Sequence, residues 1–259
     1  MSSNPKVDVG VKGQVREINK KVKFSEEDKK YLKQRKEFAV EIGFPDLFEY
    51  IDQYGLYAGA QTIGSRLFAY EAIKRTINIP GHIVEFGVFK GSNLLYMAKV
   101  LRLLQPSTHK LVFGFDTFEG LPDSTDKDGN FAKEMVGELV GNEKLIREAI
   151  SLYELEAWCH LIVGDAVQTI VEFEEEKPEV LVSLAWIDFD LYEPTVVALD
   201  FLSRRLAVGG VIIFDEAINI WWPGETTAML EFLSESGSHY RMESNTTSRQ
   251  PTMMIIRES

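Results

Sequence analysis

Acidic side chains follow short apolar runs of strand length at five places in this sequence. Seven residues share this position: Glu85, Asp116, Asp165, Asp188, Asp190, Asp215 and Glu216. A carboxylate at the edge of a buried sheet is costly unless another group pairs with it. Because parallel strands end at the same edge of a sheet, we expect the seven side chains to meet in one crevice and to repel one another. A bound cation would relieve that repulsion.

The segment His82–Asn93 has the sequence HIVEFGVFKGSN, which indicates a strand, a tight turn and the start of a helix. Its glycines, Gly87 and Gly91, follow Glu85 in the spacing E-x-G-x-x-x-G. The dinucleotide fingerprint has a different spacing, G-x-G-x-x-G, and holds a pyrophosphate at the helix start. An acidic residue at the strand end would repel a pyrophosphate and suits a cationic ligand, such as the amino group of S-adenosylmethionine. A plain turn is the alternative interpretation.

Asp188, Asp215 and Glu216 have the chemistry of a metal site. They end the fourth and fifth predicted strands, which we expect to be neighbours in the sheet. Oxygen ligands favour Mg²⁺, Ca²⁺ or Mn²⁺ over zinc, and no cysteine or histidine shares these motifs. For Asp116 we weigh a bond to ribose hydroxyls against an Asx-turn, and for Asp165 a contact with adenine or ribose against a helix N-cap.

The elements that would position these residues alternate regularly. Predicted strands at 83–86, 111–115, 159–163, 181–187 and 210–214 alternate with predicted helices at 92–104, 143–153, 167–175, 194–206 and 225–236, and strand-like runs at 240–243 and 252–256 follow. The strands are apolar on successive residues, which is typical of strands covered by helices on both faces. Five β-α units and a terminal pair predict an α/β fold with a doubly wound, mostly parallel seven-stranded sheet.

The N-terminal quarter of the chain differs from the rest. Residues 1–23 are polar and aperiodic, and Ser25 with the acidic residues after it predicts the N-cap of a helix. A second short helix is expected within 46–57, where many aromatic residues serve either packing or a lid. An amphipathic helix is expected at 63–77. The expected domains are therefore 1–60, an arm and helical lid, and 61–259, the α/β domain.

Composition limits the partners and the compartment. The chain has 259 residues and 45% apolar residues, which is enough for a full core. Aspartate and glutamate number 40 against 28 lysines and arginines, and the net charge of −12 disfavours nucleic acid as a partner. The single Cys159 excludes an internal disulfide, and neither a membrane-spanning run nor a signal peptide is evident. We expect a cytoplasmic protein with a small-molecule acceptor, and the long arm predicts a homo-oligomer.

Three segments in combination resemble one enzyme family. They are VEFGVFKGSN from residue 84, GFDTFEGLP from residue 114, and WIDFDLYEPTVVALDFLSRRLAVGGVIIFDEA from residue 186. Together they resemble the macrocin O-methyltransferase family, whose S-adenosylmethionine- and Mg²⁺-dependent enzymes methylate sugar hydroxyls on natural products. The resemblance runs from about residue 62 to the end. It implies a Rossmann-like class I methyltransferase domain, preceded by the helical extension.

The resemblance also implies a role for each candidate residue. The methionine part of the cofactor would be surrounded by Glu85, Gly87, Gly91 and Ser92. Its ribose and adenine would be contacted by Asp116 and Phe118, with Asp165 and Thr62 nearby. The metal would be bound by Asp188, Asp215 and Glu216, and the general base would be Asp190. Thr62 would precede the first core helix. The family usually has Asp-Asp where this chain has Asp215-Glu216, and glutamate places its oxygen atoms one methylene further out.

Three other functions are weighed against this one. In a nicotinamide-dependent oxidoreductase we would expect another glycine spacing and a Tyr-x-x-x-Lys pair after it. A catechol-type phenol O-methyltransferase uses similar carboxylates and would differ only in its acceptor pocket. A non-catalytic binding module is disfavoured by the intact set of Asp188, Asp190 and Asp215. The segment 219–226 contains Trp221 and Trp222, which serve either to stack on a sugar face or in packing or an oligomer contact.

Overall fold

The computed structural model describes residues 26–236 and 239–259, so the predicted arm at 1–23 and the predicted cap at Ser25 lie outside the described residues. The chain divides into two compact units, Met1–Tyr57 and Ala58–Ser259. No helix in the described ranges is both long and apolar enough to cross a membrane.

The described part of the first unit contains three helices, α1 (Glu26–Glu41), α2 (Leu47–Ile51) and α3 (Tyr54–Tyr57). Arg35 of α1 forms an ion pair with Asp52 at 2.6 Å, and its guanidinium lies 5.0 Å from the ring centre of Phe48. These contacts hold α1 against α2. The single short helix expected within 46–57 is therefore two helices.

The second unit alternates strands and helices in the predicted order. Its elements are α4 (Ala60–Thr76), β1 (His82–Phe86), α5 (Ser92–Leu104), β2 (Val112–Asp116), α6 (Gly129–Glu134), α7 (Glu143–Leu152), β3 (Cys159–Val163), α8 (Ala166–Glu176), β4 (Val182–Ile187), α9 (Tyr192–Arg205), β5 (Leu206–Phe214), α10 (Pro223–Ser236), β6 (Tyr240–Ser244) and β7 (Met253–Arg257). Because α4 begins at Ala60, Thr62 lies inside its first turn and not before the helix.

The seven strands form one sheet in the order β3-β2-β1-β4-β5-β7-β6. Strands β1 to β5 are parallel, and β7 runs antiparallel to both of its neighbours. This confirms the predicted doubly wound, mostly parallel sheet and the predicted contact between β4 and β5. The strand order reverses between β1 and β4, and a ligand crevice is expected at the carboxyl ends of the strands on either side of such a point.

Both faces of the sheet are buried, which explains the continuous apolar runs. Ile83 and Leu184 pack into one hydrophobic cluster, and the next residues along the same strands, Val84 and Ala185, pack into another. Full burial of an aliphatic side chain such as Ile83 contributes about 1.5–3 kcal/mol. The helices that cover both faces therefore fix the positions of the strand ends.

Candidate functional site

A cavity of about 400 Å³ lies at the carboxyl ends of the parallel strands, a size typical of small-molecule sites. The loops that follow these strands each contribute residues to the wall of the cavity. The candidate residues among its lining are Gly87 after β1, Asp116 at the end of β2, Asp165 after β3, Asp188 and Asp190 after β4, and Glu216 after β5. Five of the seven acidic residues that were expected to meet in one crevice therefore line this cavity, whereas Glu85 and Asp215 are not part of its lining.

The two glycines of the β1–α5 turn are required by the backbone. Gly87 has a φ of +93°, and a Cβ on it would lie 1.9 Å from the carbonyl oxygen of Asp188. Gly91 has a φ of +74° at the N-cap of α5, and a Cβ there would lie 2.8 Å from Cγ1 of Ile146. L-residues rarely adopt such φ values. Glycine at 87 allows the ends of β1 and β4 to lie in contact, and glycine at 91 allows the start of α5 to pack against Ile146 of α7.

Asp116 holds this turn from the neighbouring strand. Its Oδ2 accepts hydrogen bonds from the backbone N–H groups of Val88 and Phe89, both at 2.7 Å, and its Oδ1 accepts from Phe118 N at 2.7 Å. The last bond is the Asx-turn that the sequence left open. The side chain of Phe118 is buried in the hydrophobic core. Since a carboxylate oxygen can accept two hydrogen bonds, Oδ1 has capacity for a further donor, and the ribose contact of Asp116 stays a prediction.

Three further candidate residues lie at helix starts. Asp165 caps α8 by accepting a hydrogen bond from Val167 N at 2.9 Å, and it lines the cavity at the same time. Ser92 begins α5, and its Oγ accepts a bond from Arg66 at 2.9 Å. Thr62 is exposed in the first turn of α4 and is not part of the cavity wall. The cofactor contacts of all three residues stay predictions.

Glu85 is buried at the end of β1, with 1% of its surface exposed. Its Oε1 accepts a hydrogen bond from Asn93 Nδ2 at 2.8 Å, whereas its Oε2 has no partner among the described residues. Burial raises the pKa of this carboxyl to about 8. A buried oxygen without a partner is rare in native proteins and is consistent with a ligand that supplies the missing donor.

The carboxylates that follow β4 and β5 form an acidic cluster, which we define as Asp188, Asp190, Asp215, Glu216 and Glu225. Burial, followed by the charges of Asp215 and Asp190, raises the pKa of Asp188 well above its usual value. Burial and then the charge of Glu216 likewise raise the pKa of Asp190 well above its usual value, and that of Asp215 to about 7. The cluster therefore favours any cation that enters it.

The sequence did not point to Glu225, which is fully buried near the start of α10. Its Oε1 accepts a hydrogen bond from Glu216 N at 2.9 Å, and its Oε2 has no partner among the described residues. Burial and the charge of Asp215 raise its pKa well above the usual value. An acidic residue in a first helical turn usually indicates only a favourable interaction with the helix dipole, so its local sequence carries no functional signal.

The carboxylates of Asp215 and Glu216, which follow β5, accept hydrogen bonds from amide side chains. Nε2 of Gln250 donates to Asp215 Oδ2 at 2.8 Å and also to Glu216 Oε1, and Nδ2 of Asn219 donates to Glu216 Oε2. Within the described ranges, the side-chain ion pairs involve carboxylates outside the cluster. In the same ranges, no three or more acidic, histidine or cysteine side chains form a group that could hold a metal.

Aromatic rings border the cavity on the side of the loop before α10. Phe131 and Trp222 line it, with ring centres 5.1 Å apart, and the ring of Trp221 lies 5.8 Å from that of Phe131. Trp222 is buried, whereas 59% of the surface of Trp221 is exposed. We call these three residues the aromatic rim. Of the two tryptophans, Trp222 both packs in a hydrophobic cluster and lines the cavity, whereas Trp221 is exposed and is not part of the cavity lining.

Known proteins resemble this chain over most of the second unit. The family model described as macrocin-O-methyltransferase (TylF) matches residues 59–243. The 8-demethyl-8-(2,3-dimethoxy-alpha-L-rhamnosyl)-tetracenomycin-C 4'-O-methyltransferase of Streptomyces olivaceus is 29% identical over 147 residues, 53% of each protein. The demethyldecarbamoylnovobiocin O-methyltransferase of Streptomyces niveus is 27% identical over 146 residues, 54% of this chain and 53% of that one. The chain thus covers about half the length of these two curated relatives.

Among solved structures, the calicheamicin methyltransferase CalS11 resembles this chain. The two are 26% identical, with a TM-score of 0.72 over 91% of this chain and 94% of the other. The similarity therefore extends over nearly the whole length of both chains.

Proposed function

Because the chain belongs to the macrocin-O-methyltransferase (TylF) family, we propose that it transfers the methyl group of S-adenosylmethionine to a sugar hydroxyl of a glycosylated small molecule. Family membership confirms the resemblance noted in the sequence. The observation that carries the proposal is the convergence on one cavity at the strand ends of a glycine and five carboxylates, with the buried Glu85 at the end of β1; the lining residues are Gly87, Asp116, Asp165, Asp188, Asp190 and Glu216. That arrangement offers a place for a cationic nucleotide and, beside it, a place for a hydroxyl.

Glu85 is the proposed partner of the cofactor's amino group. Its Oε2 is buried without a partner, and an ammonium group would supply the missing hydrogen bond as well as an opposite charge. Asp116 and Asp165 line the cavity and are proposed to contact the ribose and adenine. The turn between β1 and α5, which contains Gly87, Gly91 and Ser92, is the proposed binding place of the methionine part of the cofactor.

A sugar acceptor is supported by the relatives and by the cavity. The name of the Streptomyces olivaceus relative specifies a rhamnosyl group, and CalS11 is a calicheamicin methyltransferase. Aromatic rings commonly present an apolar face together with a polar edge, which suits the face of a sugar. Trp221 of the aromatic rim offers such a face to solvent.

The acidic cluster fits Mg²⁺ in the chemistry of its donors. Asp188, Asp215 and Glu216 offer only oxygen atoms, which hard divalent cations prefer. Burial is the main cause of their raised pKa values, and a bound cation would offset that cost by stabilising the ionised carboxylates. As the side chains stand, Asp215 and Glu216 share the amide of Gln250. Bound Mg²⁺ would lower the pKa of an acceptor hydroxyl. We therefore propose these three residues as its ligands, with a rearrangement of the contacts to Gln250, because as the side chains stand in the described residues they do not form a group that could hold a metal.

Asp190 is the proposed general base. It lines the cavity, is 9% exposed, and has a φ of +64°, a strained conformation of the kind that clusters at functional sites. Burial raises its pKa, and an ionised carboxylate with a raised pKa is the stronger base. Its carboxylate would take the hydroxyl proton as the sugar oxygen bonds to the methyl carbon. The carbon–sulfur bond breaks in the same step, and S-adenosylhomocysteine leaves with the electron pair.

The proposal is tested by methyl transfer from radiolabelled S-adenosylmethionine to rhamnosides and to catechol, with and without EDTA. We expect label on the rhamnoside and its loss in EDTA, restored by Mg²⁺. Label on catechol alone would favour the phenol methyltransferase, and full activity in EDTA would remove the metal from the proposal. Binding of NAD in place of S-adenosylhomocysteine, measured by calorimetry, would contradict the proposed reaction.

Trp221→Ala should raise the KM for the glycoside about tenfold and leave kcat within about twofold, because stacking on the sugar face contributes to binding alone. Trp221→Phe retains a ring and should recover most of the affinity. Steady-state kinetics with the glycoside as the varied substrate provide the measurement. An unchanged KM in the alanine variant would show that Trp221 does not contact the acceptor.

A further inference from the structure

Glu225 differs from the rest of the acidic cluster, because neither a sequence motif nor the family resemblance gives it a role. Its side chain is fully buried, and Oε2 has no hydrogen-bond partner within the described residues. A buried carboxylate with a free oxygen is costly, and an apolar residue at this position would avoid that cost. Glu225 accepts a hydrogen bond from Glu216 N to its Oε1 at 2.9 Å, and this bond indicates the role of the residue.

The N–H group that Glu225 binds belongs to the peptide that joins Asp215 to Glu216. Because the peptide is planar, fixing its orientation restricts ψ of Asp215 and φ of Glu216, and so limits how the two residues are oriented relative to each other. Two residues further along, Ile218 N donates to Thr226 Oγ1 at 2.8 Å, so the loop folds back on the first turn of α10. Glu225 thus fixes the peptide between the two acidic residues, and Thr226 fixes the loop that follows.

We propose that Glu225 is a positioning residue, which orients the Asp215–Glu216 peptide so that both carboxylates present oxygen atoms to one divalent cation. This inference rests on the proposed function, since the cation is part of that proposal. Glu225 acts through its hydrogen-bond acceptor and not through its charge. Glutamine retains an acceptor oxygen at the same place, whereas alanine leaves the Glu216 N–H without a partner.

The test measures the affinity of the full chain for Mn²⁺ alone, by electron paramagnetic resonance, with no cofactor present. Glu225→Ala should weaken binding about tenfold, as expected for the loss of one buried hydrogen bond, and Glu225→Gln should stay within about threefold of the unchanged protein. Thr226→Val is the matched control. It removes a bond of the same kind from Ile218 N–H and should alter the affinity less than about twofold.

Each result supports or overturns the inference. An equal loss in Glu225→Ala and Glu225→Gln would assign the effect to charge and overturn it, as would unchanged affinity in Glu225→Ala or no binding by the unchanged protein. If the alanine variant fails to fold, as judged by its thermal transition, the glutamine variant decides, and loss of affinity there overturns the inference. Mn²⁺ binding without methyl transfer would instead count against the proposed function and leave Glu225 in its role.

Discussion

Replacing Asp188 by alanine should lower kcat/KM for methyl transfer about a hundred- to a thousandfold, because Asp188 is a proposed ligand of the cation that activates the acceptor hydroxyl and the loss of one transition-state-stabilising group has effects of that order. The same change should not weaken the fold. Asp188 N still donates to Phe86 O at 2.7 Å, so the backbone stays anchored at the end of β4. The raised pKa of Asp188 means that its ionised form opposes folding, and the thermal midpoint of the metal-free variant should stay equal or rise.

This combination of lost activity and retained stability separates a functional carboxylate from a structural one. Asp200→Ala provides the control, since Asp200 is an exposed carboxylate on α9 that pairs with Arg204 at 2.8 Å. Its kinetics and its midpoint should both stay close to those of the unchanged protein. The affinity of both variants for S-adenosylhomocysteine, measured by calorimetry, should stay within a few-fold of the affinity of the unchanged protein. An Asp188→Ala enzyme with more than a tenth of the original kcat/KM would contradict the proposed role.

The fold could be predicted because its signal is local and repeated. Strands buried on both faces must be apolar throughout, and this pattern located β3 at its observed bounds. Strand β5 begins at Leu206, earlier than the predicted start at Gly210, because the pair Gly209-Gly210 resembles a turn. Gly209 has a φ of +83° inside the strand, so the glycines mark an irregularity in the strand and not its beginning. The short helix α6 lies between the strand predicted at 111–115 and the helix predicted at 143–153, where no helix was expected.

The site was predictable where it depends on strand ends and not where it depends on distant segments. Asp188 and Asp215 follow apolar runs, so the sheet alone brings them together. Gln250 donates to Asp215 from the loop between β6 and β7, and Glu225 accepts a bond from Glu216 N from its place on α10. An isolated glutamine or a glutamate in a first helical turn has the same local sequence whether it faces solvent or a buried carboxylate. Only the packing of the whole domain distinguishes the two.

Glu85 should make the affinity for S-adenosylhomocysteine depend on pH, falling up to about tenfold for each unit below pH 8. Its pKa of about 8 in the empty site means that the carboxyl is protonated at neutral pH, whereas the cationic amino group of the ligand prefers the ionised form. Binding must then release a proton, which costs more as the pH falls. Calorimetric titrations between pH 6 and about 8 in buffers of different ionisation enthalpy would measure both the affinity and the released proton.

Glu85→Gln should remove this pH dependence and lower the affinity at pH 8 by about tenfold or more, since the amide carries no charge for the ammonium group. The same variant has a second readout in the empty protein. The pKa of Glu85 is higher in the folded protein than in the unfolded chain, so its ionisation favours unfolding. The free energy of unfolding therefore falls as the pH rises from about 4.5 towards 8, by about 1.4 kcal/mol per pH unit for this one group. Glutamine should flatten that slope and raise stability at pH 8. A variant that flattens the stability slope yet binds S-adenosylhomocysteine with unchanged affinity would show that Glu85 is buried for another reason, because the same carboxylate cannot hold the ammonium group and be dispensable for it.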